Sequence, residues 1–388
     1  MNFVKIVVSF DYTKQQQQMK GPRQKMRRLT NFLKEEIESF GIDTTWMRLL
    51  KTHTIRYAAQ NKVEDFSNHD DFKNYDVFDE DLLEGLSLAE ISTLFEYSLS
   101  IHDRAGRKNA GAYFTPEDVA DFMAEQAFRL DFSGKGCWLD PAAGVGNLSY
   151  ALALIQDDPE DFVLNRLILQ DLNPVALKVA QTLFALRFQK NTSNFYEKIS
   201  SRFIVKDFLQ DYDKSSSLGL ELPQPGYDSQ EVDYNYVIVN PPYLASKIDN
   251  RFITSKSRDV YAYFLEKIIL SSEGFVSVTP QSFLNSKKFE DLRELFIDNF
   301  DNCDFYAFDN IPDSVFKGYK YGSNNTNSAN SVRAAITVAS KHGTDSKKHY
   351  RITPFLRWQT AEREEAFEKF SDMLTAFNPE KGKRKNFS

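Results

Sequence analysis

The clearest chemical signal lies in Val237-Ile238-Val239-Asn240-Pro241-Pro242-Tyr243, where an apolar run ends in an amide, two prolines and a ring. Consecutive prolines cannot donate to a β-ladder, so they stop the strand and hold the backbone extended with its carbonyls free to accept. The Asn240 amide oxygen and the Pro241 carbonyl can together take both hydrogens of an exocyclic amine. Tyr243 offers a flat face on which a base can stack. Asn240, Pro241, Pro242 and Tyr243 are the candidate catalytic group.

A second signal is Trp138-Leu139-Asp140-Pro141-Ala142-Ala143-Gly144-Val145-Gly146-Asn147, an apolar run entering a glycine turn and then an apolar-periodic segment (Leu148, Ala151, Leu152, Ile155). This reads as the first strand-to-helix turn of a nucleotide-binding type of fold, where glycines let a ligand approach the backbone. The third glycine of the dinucleotide fingerprint is replaced by Ser149, and Asp140 would repel a pyrophosphate. A cationic ligand fits better, and S-adenosylmethionine has an ammonium, a sulfonium and no phosphate. Asp140, Ala142, Gly144 and Gly146 are its expected contacts. Asp171 and Leu172 follow in Gln170-Asp171-Leu172-Asn173-Pro174, where an acidic side chain can accept from both ribose hydroxyls. The structural alternative is that Asp171 or Asn173 caps the helix opening at Pro174. Asp207 could accept from an adenine amino group while Phe208 covers the ring, or it could cap a loop.

Strands must hold these residues at one edge. The expected strands are 137–139, 167–170, 203–206, 236–239, 275–279, 305–308 and 332–339, the first five separated by helix-compatible segments. This is a doubly wound α/β pattern, and in a sheet ordered 3-2-1-4 the first and fourth strands flank the switch point, so Asp140 and Asn240 open into one crevice. The last two strands lack a crossover helix and are expected as an antiparallel hairpin at the sheet edge. Upstream, Met26, Leu29, Leu33, Ile37 and Phe40 recur at helical spacing and stop at Gly41, and a second helix is expected over about 80–101, with an acidic linker between them.

In this order, Asp140-Pro-Ala-Ala-Gly-Val-Gly146, Asp171-Leu-Asn-Pro174, Asp207-Phe208 and Asn240-Pro-Pro-Tyr243 resemble the signature of the gamma-class N6-adenine DNA methyltransferases of restriction-modification systems. Gly111-Ala-Tyr-Phe-Thr-Pro116 resembles the family motif that folds over the methionine end of the cofactor, which implies contacts from Tyr113, Phe114, Thr115 and Pro116. Thr115 as cap, Pro116 at the first helical position and Asp118 as capping-box partner give the same motif a structural role. The resemblance runs from about Arg107 to Lys341. It implies a Rossmann-like S-adenosylmethionine-dependent methyltransferase fold, with a mostly parallel seven-stranded sheet carrying an antiparallel edge hairpin, plus an N-terminal helical domain. The expected divisions are a mainly helical 1–105, a catalytic 106–342 and a C-terminal extension 343–388. It also implies that a target adenine leaves the duplex to reach the crevice, because its N6 is paired and stacked there.

The family places target recognition after the catalytic core, and too few residues follow Lys341 for such a domain. A separate specificity subunit, or a recognition domain missing from this chain, is therefore an expected partner beside double-stranded DNA. Charge agrees: 48 Lys and Arg against 55 Asp and Glu leave a formal −7, which argues against a chain coated in nucleic-acid-binding surface. Lys247, Arg251, Lys256 and Arg258 after Tyr243 are candidate phosphate contacts. No metal site is expected; Cys137 and Cys303 read as buried thiols. No apolar run reaches membrane-spanning length, so a cytoplasmic protein with no membrane partner is expected. The competing readings are a methyltransferase of the same fold acting on protein glutamine or RNA, and a non-catalytic DNA-binding subunit.

Overall fold

The computed structural model describes residues 20–102, 115–131, 133–210, 212, 233–316, 320–321, 324–325, 332–341, 347–359, 362–379 and 387. Tyr113 and Phe114 lie outside the described residues. The helices used below are α1 (Lys20–Phe40), α2 (Ile42–Asn61), α3 (Leu88–His102), α4 (Glu117–Leu130), α5 (Asn147–Leu154), α6 (Pro174–Phe188), α7 (Val260–Ser271), α8 (Glu290–Asn299) and α9 (Arg363–Lys369). The strands are β1 (Trp138–Asp140), β2 (Leu167–Asp171), β3 (Phe203–Val205), β4 (Tyr236–Val239), β5 (Gly274–Pro280), β6 (Asn302–Ala307), β7 (Ala334–Ser340), β8 (His349–Ile352) and β9 (Thr375–Phe377).

These strands form one sheet in the order β9-β8-β6-β7-β5-β4-β1-β2-β3. The run β3-β2-β1-β4-β5 is parallel throughout, as its helical crossovers require. β7 inserts antiparallel between β5 and β6, giving the arrangement of an S-adenosylmethionine-dependent methyltransferase sheet. The β6–β7 pair is antiparallel as expected, but it is not the edge. β8 runs parallel to β6 and β9 antiparallel to β8, so the residues read as a C-terminal extension lend two strands to the sheet. Phe387 is buried among Phe296, Phe305, Tyr350 and Phe377. After β8 the chain forms α9, a 3-10 turn over Phe370–Met373 and β9.

Both faces of β1, β2, β4 and β5 are buried, so their sequences are apolar runs rather than alternating ones, whereas β3 at the edge leaves Val205 exposed. Trp138, Leu167, Leu169 and Ile238 pack toward α4, α5 and α6, while Leu139, Ile168, Val237 and Val239 pack toward α7 and α8. The N-terminal helices continue the first layer: Met26, Leu29, Leu33 and Ile37 of α1 share its core. Phe40, in register with them, is 56% exposed because the helix stops there.

Sequence periodicity missed α2. Its inward face includes Thr45, Thr52, His53 and Thr54, polar by type yet buried. The three threonine hydroxyls donate to carbonyls four residues back, at 2.8 Å each, which makes them compatible with a core. The acidic stretch after α2 is a packed connection: Phe66, Phe72 and Leu83 are buried, and Asp71 accepts from Lys178 at 2.7 Å and Tyr196 at 2.8 Å. No helix among the described residues is long and apolar enough to cross a membrane. Cys303 is buried and Cys137 half-buried, both as free thiols.

Candidate active site

Pairing of Trp138 with Tyr236 and Leu139 with Val237 sets Asp140 level with Ile238, two residues before Asn240. Both residues leave the sheet at the C-terminal ends of neighbouring strands, where doubly wound sheets bind their ligands.

Asp140 is 1% exposed. Its carboxylate accepts from the Ser149 hydroxyl at 3.0 Å and from the Ala142 N–H at 3.4 Å. Burial pushes the carboxyl up to about 7, against the pull of those two bonds and with a contribution from nearby Asp171. The loop then turns through Gly144 (φ 55°) and Gly146 (φ 89°), left-handed positions that suit glycine. At Gly146 a Cβ would meet Phe184 at 2.9 Å, so the helix α5 starts flush against α6. Asp171 accepts from the N–H of Gly144 and of Asn173, both at 2.8 Å, and burial raises its carboxyl despite these bonds.

The helix cap at this edge is Asn173, whose side chain accepts from Val175 N–H at 3.0 Å and Ala176 N–H at 3.1 Å. That leaves Asp171 bonded to the glycine loop. Neither Asp140 nor Asp171 has a Lys or Arg partner among the described residues. Two carboxylates without counter-ions suit a ligand that is cationic and rich in hydroxyls, and do not suit a polyphosphate. Leu172 is 67% exposed beside them. Asp207 accepts from the Leu209 N–H at 2.9 Å. Phe208 is buried against Phe264, with the Lys267 ammonium 4.5 Å from its ring. The apolar side chain open at this edge is therefore Leu172 rather than Phe208.

Asn240 donates from Nδ2 to the Thr115 hydroxyl at 2.9 Å. Pro241 is buried and Pro242 half-buried. Tyr243 is half-buried; its hydroxyl donates to the Val278 carbonyl at 2.8 Å and its ring stands edge-on to Tyr261 and Phe316. The expected capping box does not form. Pro116 occupies the cap position and α4 begins at Glu117. The Thr115 hydroxyl faces Asn240, and Asp118 pairs with Arg363 of α9. Asn147, the first residue of α5, donates to the Thr115 carbonyl at 3.4 Å, so Thr115 touches both the helix start after the glycine loop and the Asn240 amide. Sequence reasoning passed over Asn147, although its place directly after Gly146 marked it.

The loop after Tyr243 is anchored by Glu266, fully buried on α7 and also missed, since one Glu in an apolar helix looks unremarkable in sequence. Its carboxylate accepts from the N–H groups of Ile253 (2.8 Å) and Thr254 (2.7 Å) and from the hydroxyls of Thr254 and Tyr212 (both 2.8 Å). Replacing Glu266 with Ala strands four donors, so thermal denaturation of the variant should show a loss of about 3 kcal/mol. Of the four basic residues in that loop, Arg251 pairs with Asp249 at 2.8 Å and Lys256 with Asp291 at 3.3 Å.

Residues 165–316 match the family of Eco57I restriction-modification methylases, a stretch holding Asp171, Asp207 and Asn240 to Tyr243. The type II methyltransferase M.PstI of Providencia stuartii is 26% identical over 246 residues, covering 58% of this chain and 44% of that protein. Among solved structures, a DrdV–DNA complex aligns with TM-score 0.55 and 16% identity over 96% of this chain and 45% of that one. A type I restriction-enzyme modification subunit from Vibrio vulnificus YJ016 aligns with TM-score 0.55 and 12% identity over 91% of this chain and 92% of that one. This chain thus spans under half the length of M.PstI and of the DrdV chain. The resemblance to restriction-modification methylases read from the motifs is borne out, and the class I methyltransferase fold together with the methylase match implies S-adenosylmethionine as the methyl donor.

Proposed function

We propose that this chain transfers a methyl group from S-adenosylmethionine to N6 of an adenine flipped out of double-stranded DNA, as the modification component of a restriction-modification system working in the cytoplasm. The observation that carries the reading is the placement of Asn240-Pro-Pro-Tyr243 beside Asp140, across neighbouring strand ends. Asp140 and Asp171, with the loop from Ala142 to Gly146 and the exposed Leu172, hold the cofactor; Asp207 and Phe208 border its far side, and Thr115 and Pro116 close the methionine end, a role that the motif resemblance also implies for Tyr113 and Phe114.

Bound there, the cofactor supplies an electrophilic methyl group on a sulfonium. Asn240 Oδ1 and the Pro241 carbonyl accept the two N6 hydrogens, directing the nitrogen lone pair at that methyl, while Pro242 keeps the backbone extended and Tyr243 stacks on the base. Orientation and hydrogen bonding to developing positive charge supply the acceleration. No strong base is required, because the amine proton becomes acidic once the nitrogen is cationic.

The duplex lies across the C-terminal edge of the sheet. β7 enters the sheet at Ala334, opposite Pro280 at the end of β5, which brings Arg333 to that edge. Arg333 (3.1 Å) and Arg357 (2.7 Å) both donate to the buried Asp309, leaving two half-exposed guanidiniums on one carboxylate and a net positive charge. In fluorescence anisotropy, Arg333→Ala and Arg357→Ala should weaken duplex binding by a similar factor for all sequences, each lowering the salt slope by about 1.

Sequence readout comes from a separate specificity subunit or a recognition domain beyond this chain. The support is that, among the described residues after Lys341, β8 and β9 extend the sheet and α9 pairs with α4 through Arg363 and Asp118. To test the substrate class, the chain is given methyl-labelled cofactor with unmethylated DNA, RNA or a protein extract. Label in DNA is expected; label confined to protein glutamine or to RNA would replace this reading with the corresponding one.

A further inference from the structure

An asparagine amide has an acceptor end and a donor end, and a half-turn about its last bond exchanges them. Only one orientation can receive amine hydrogens. If the flipped amide faced the crevice, two donors would meet and the target nitrogen would be repelled. Whatever fixes this rotation therefore governs the chemistry, although it need not touch the substrate.

Thr115 is placed to do so. Its hydroxyl lies 2.9 Å from Asn240 Nδ2, across 125 residues of sequence, and the residue is 6% exposed. The backbone around it is fixed from two sides. Its carbonyl receives Asn147 Nδ2 from the start of α5, and the next residue, Pro116, accepts from the Ala120 N–H in the first turn of α4. Proline also locks its own φ. The hydroxyl is thus held on a helix start packed against the sheet. A mobile lid could not offer Asn240 a comparably fixed acceptor.

We propose that Thr115 is the positioning residue for the acceptor amide: its hydroxyl holds Nδ2 of Asn240 and so presents Oδ1 toward the amine that is methylated. This rests on the reading of Asn240 as the amine acceptor. It differs from the methionine-end contact that the resemblance implies for Thr115, because it concerns the substrate side of the crevice. Loss of the hydroxyl leaves a buried amide donor without this partner, so the amide rotates to find another. The damage falls on the rate of transfer more than on cofactor affinity.

Thr115→Val keeps the shape and removes the hydroxyl; Thr115→Ser keeps the hydroxyl. Single-turnover methylation should slow about 100-fold in the valine variant and recover most of the way in the serine variant. Cofactor affinity, measured by calorimetry, should fall by much less than the rate. In an Asn240→Ala background, Thr115→Val should cost almost nothing further, since the two act as a unit. A rate loss that only tracks cofactor occupancy, or one that persists undiminished beside Asn240→Ala, would overturn the proposal.

A readout independent of activity separates this from failure of the functional reading. In protein labelled with ¹⁵N-asparagine, the side-chain amide signal identified by its absence in Asn240→Ala should shift in Thr115→Val and return in Thr115→Ser. A signal unmoved by the valine change would show that the contact does not hold the amide. That conclusion would stand whether or not the wild-type chain methylates DNA.

Discussion

Asn240→Ala should slow methyl transfer in a single turnover about a thousandfold while the cofactor still binds. In the proposed reaction the amide accepts a hydrogen from the very nitrogen that becomes cationic, so its contribution would grow between ground and transition state. Removing one preorganised group of that kind costs about 10²–10³ in rate in related electrostatic sites. Cofactor affinity should change little, because the loop of Asp140 to Gly146 and the Asp171 carboxylate belong to other strand ends. Rapid-quench kinetics against calorimetry separates the two quantities. A parallel loss in both would mean that Asn240 serves the fold or the cofactor rather than the amine.

Asp140→Asn should weaken cofactor binding about 100-fold, the usual scale for truncating one member of a buried charged pair. The amide keeps the size and can still accept from Ser149, so the loss reports charge. A pH signature accompanies it. Because burial holds Asp140 up to about 7, the unliganded crevice carries a protonated acid below that value. A cationic ligand favours the carboxylate, so cofactor affinity should rise as pH climbs through about 7, with proton release, and Asp140→Asn should flatten that rise. The stability of the unliganded chain runs the opposite way. A carboxyl whose folded value lies above its unfolded one of 3.8 loses stability as pH rises from about 4 to about 7 and levels off above that. Melting temperature measured across this range, with and without Asp140→Asn, checks the sign.

Three parallel strands, β1, β2 and β4, were readable because each is an apolar run closed by a chemically loaded residue, Asp140, Asp171 or Asn240, as suits a strand buried between helices. β8 and β9 were not, since His349–Ile352 and Thr375–Phe377 are short and mixed, and they are strands only because β8 pairs with β6 and β9 with β8. Helix α2 hid for a related reason: hydroxyls bonded to their own backbone erased the apolar period. Around the crevice, sequence order placed the strand-end residues but could not show Thr115 against Asn240, a contact set by how α4 lies on the sheet. It also could not bury Phe208, whose ring partner Phe264 is remote in sequence, or show that Asp171 turns to the Gly144 N–H and leaves the helix cap to Asn173.

If this crevice methylates the exocyclic amine of adenine, as proposed, the product reports it. The full chain, in excess over unmethylated genomic DNA so that sequence readout does not limit the yield, is incubated with methyl-labelled S-adenosylmethionine. The DNA is then digested to nucleosides and resolved by mass spectrometry. Label is expected in N6-methyldeoxyadenosine, absent with Asn240→Ala. Label in N4-methyldeoxycytidine, or no labelled nucleoside from a chain that binds the cofactor, would contradict it.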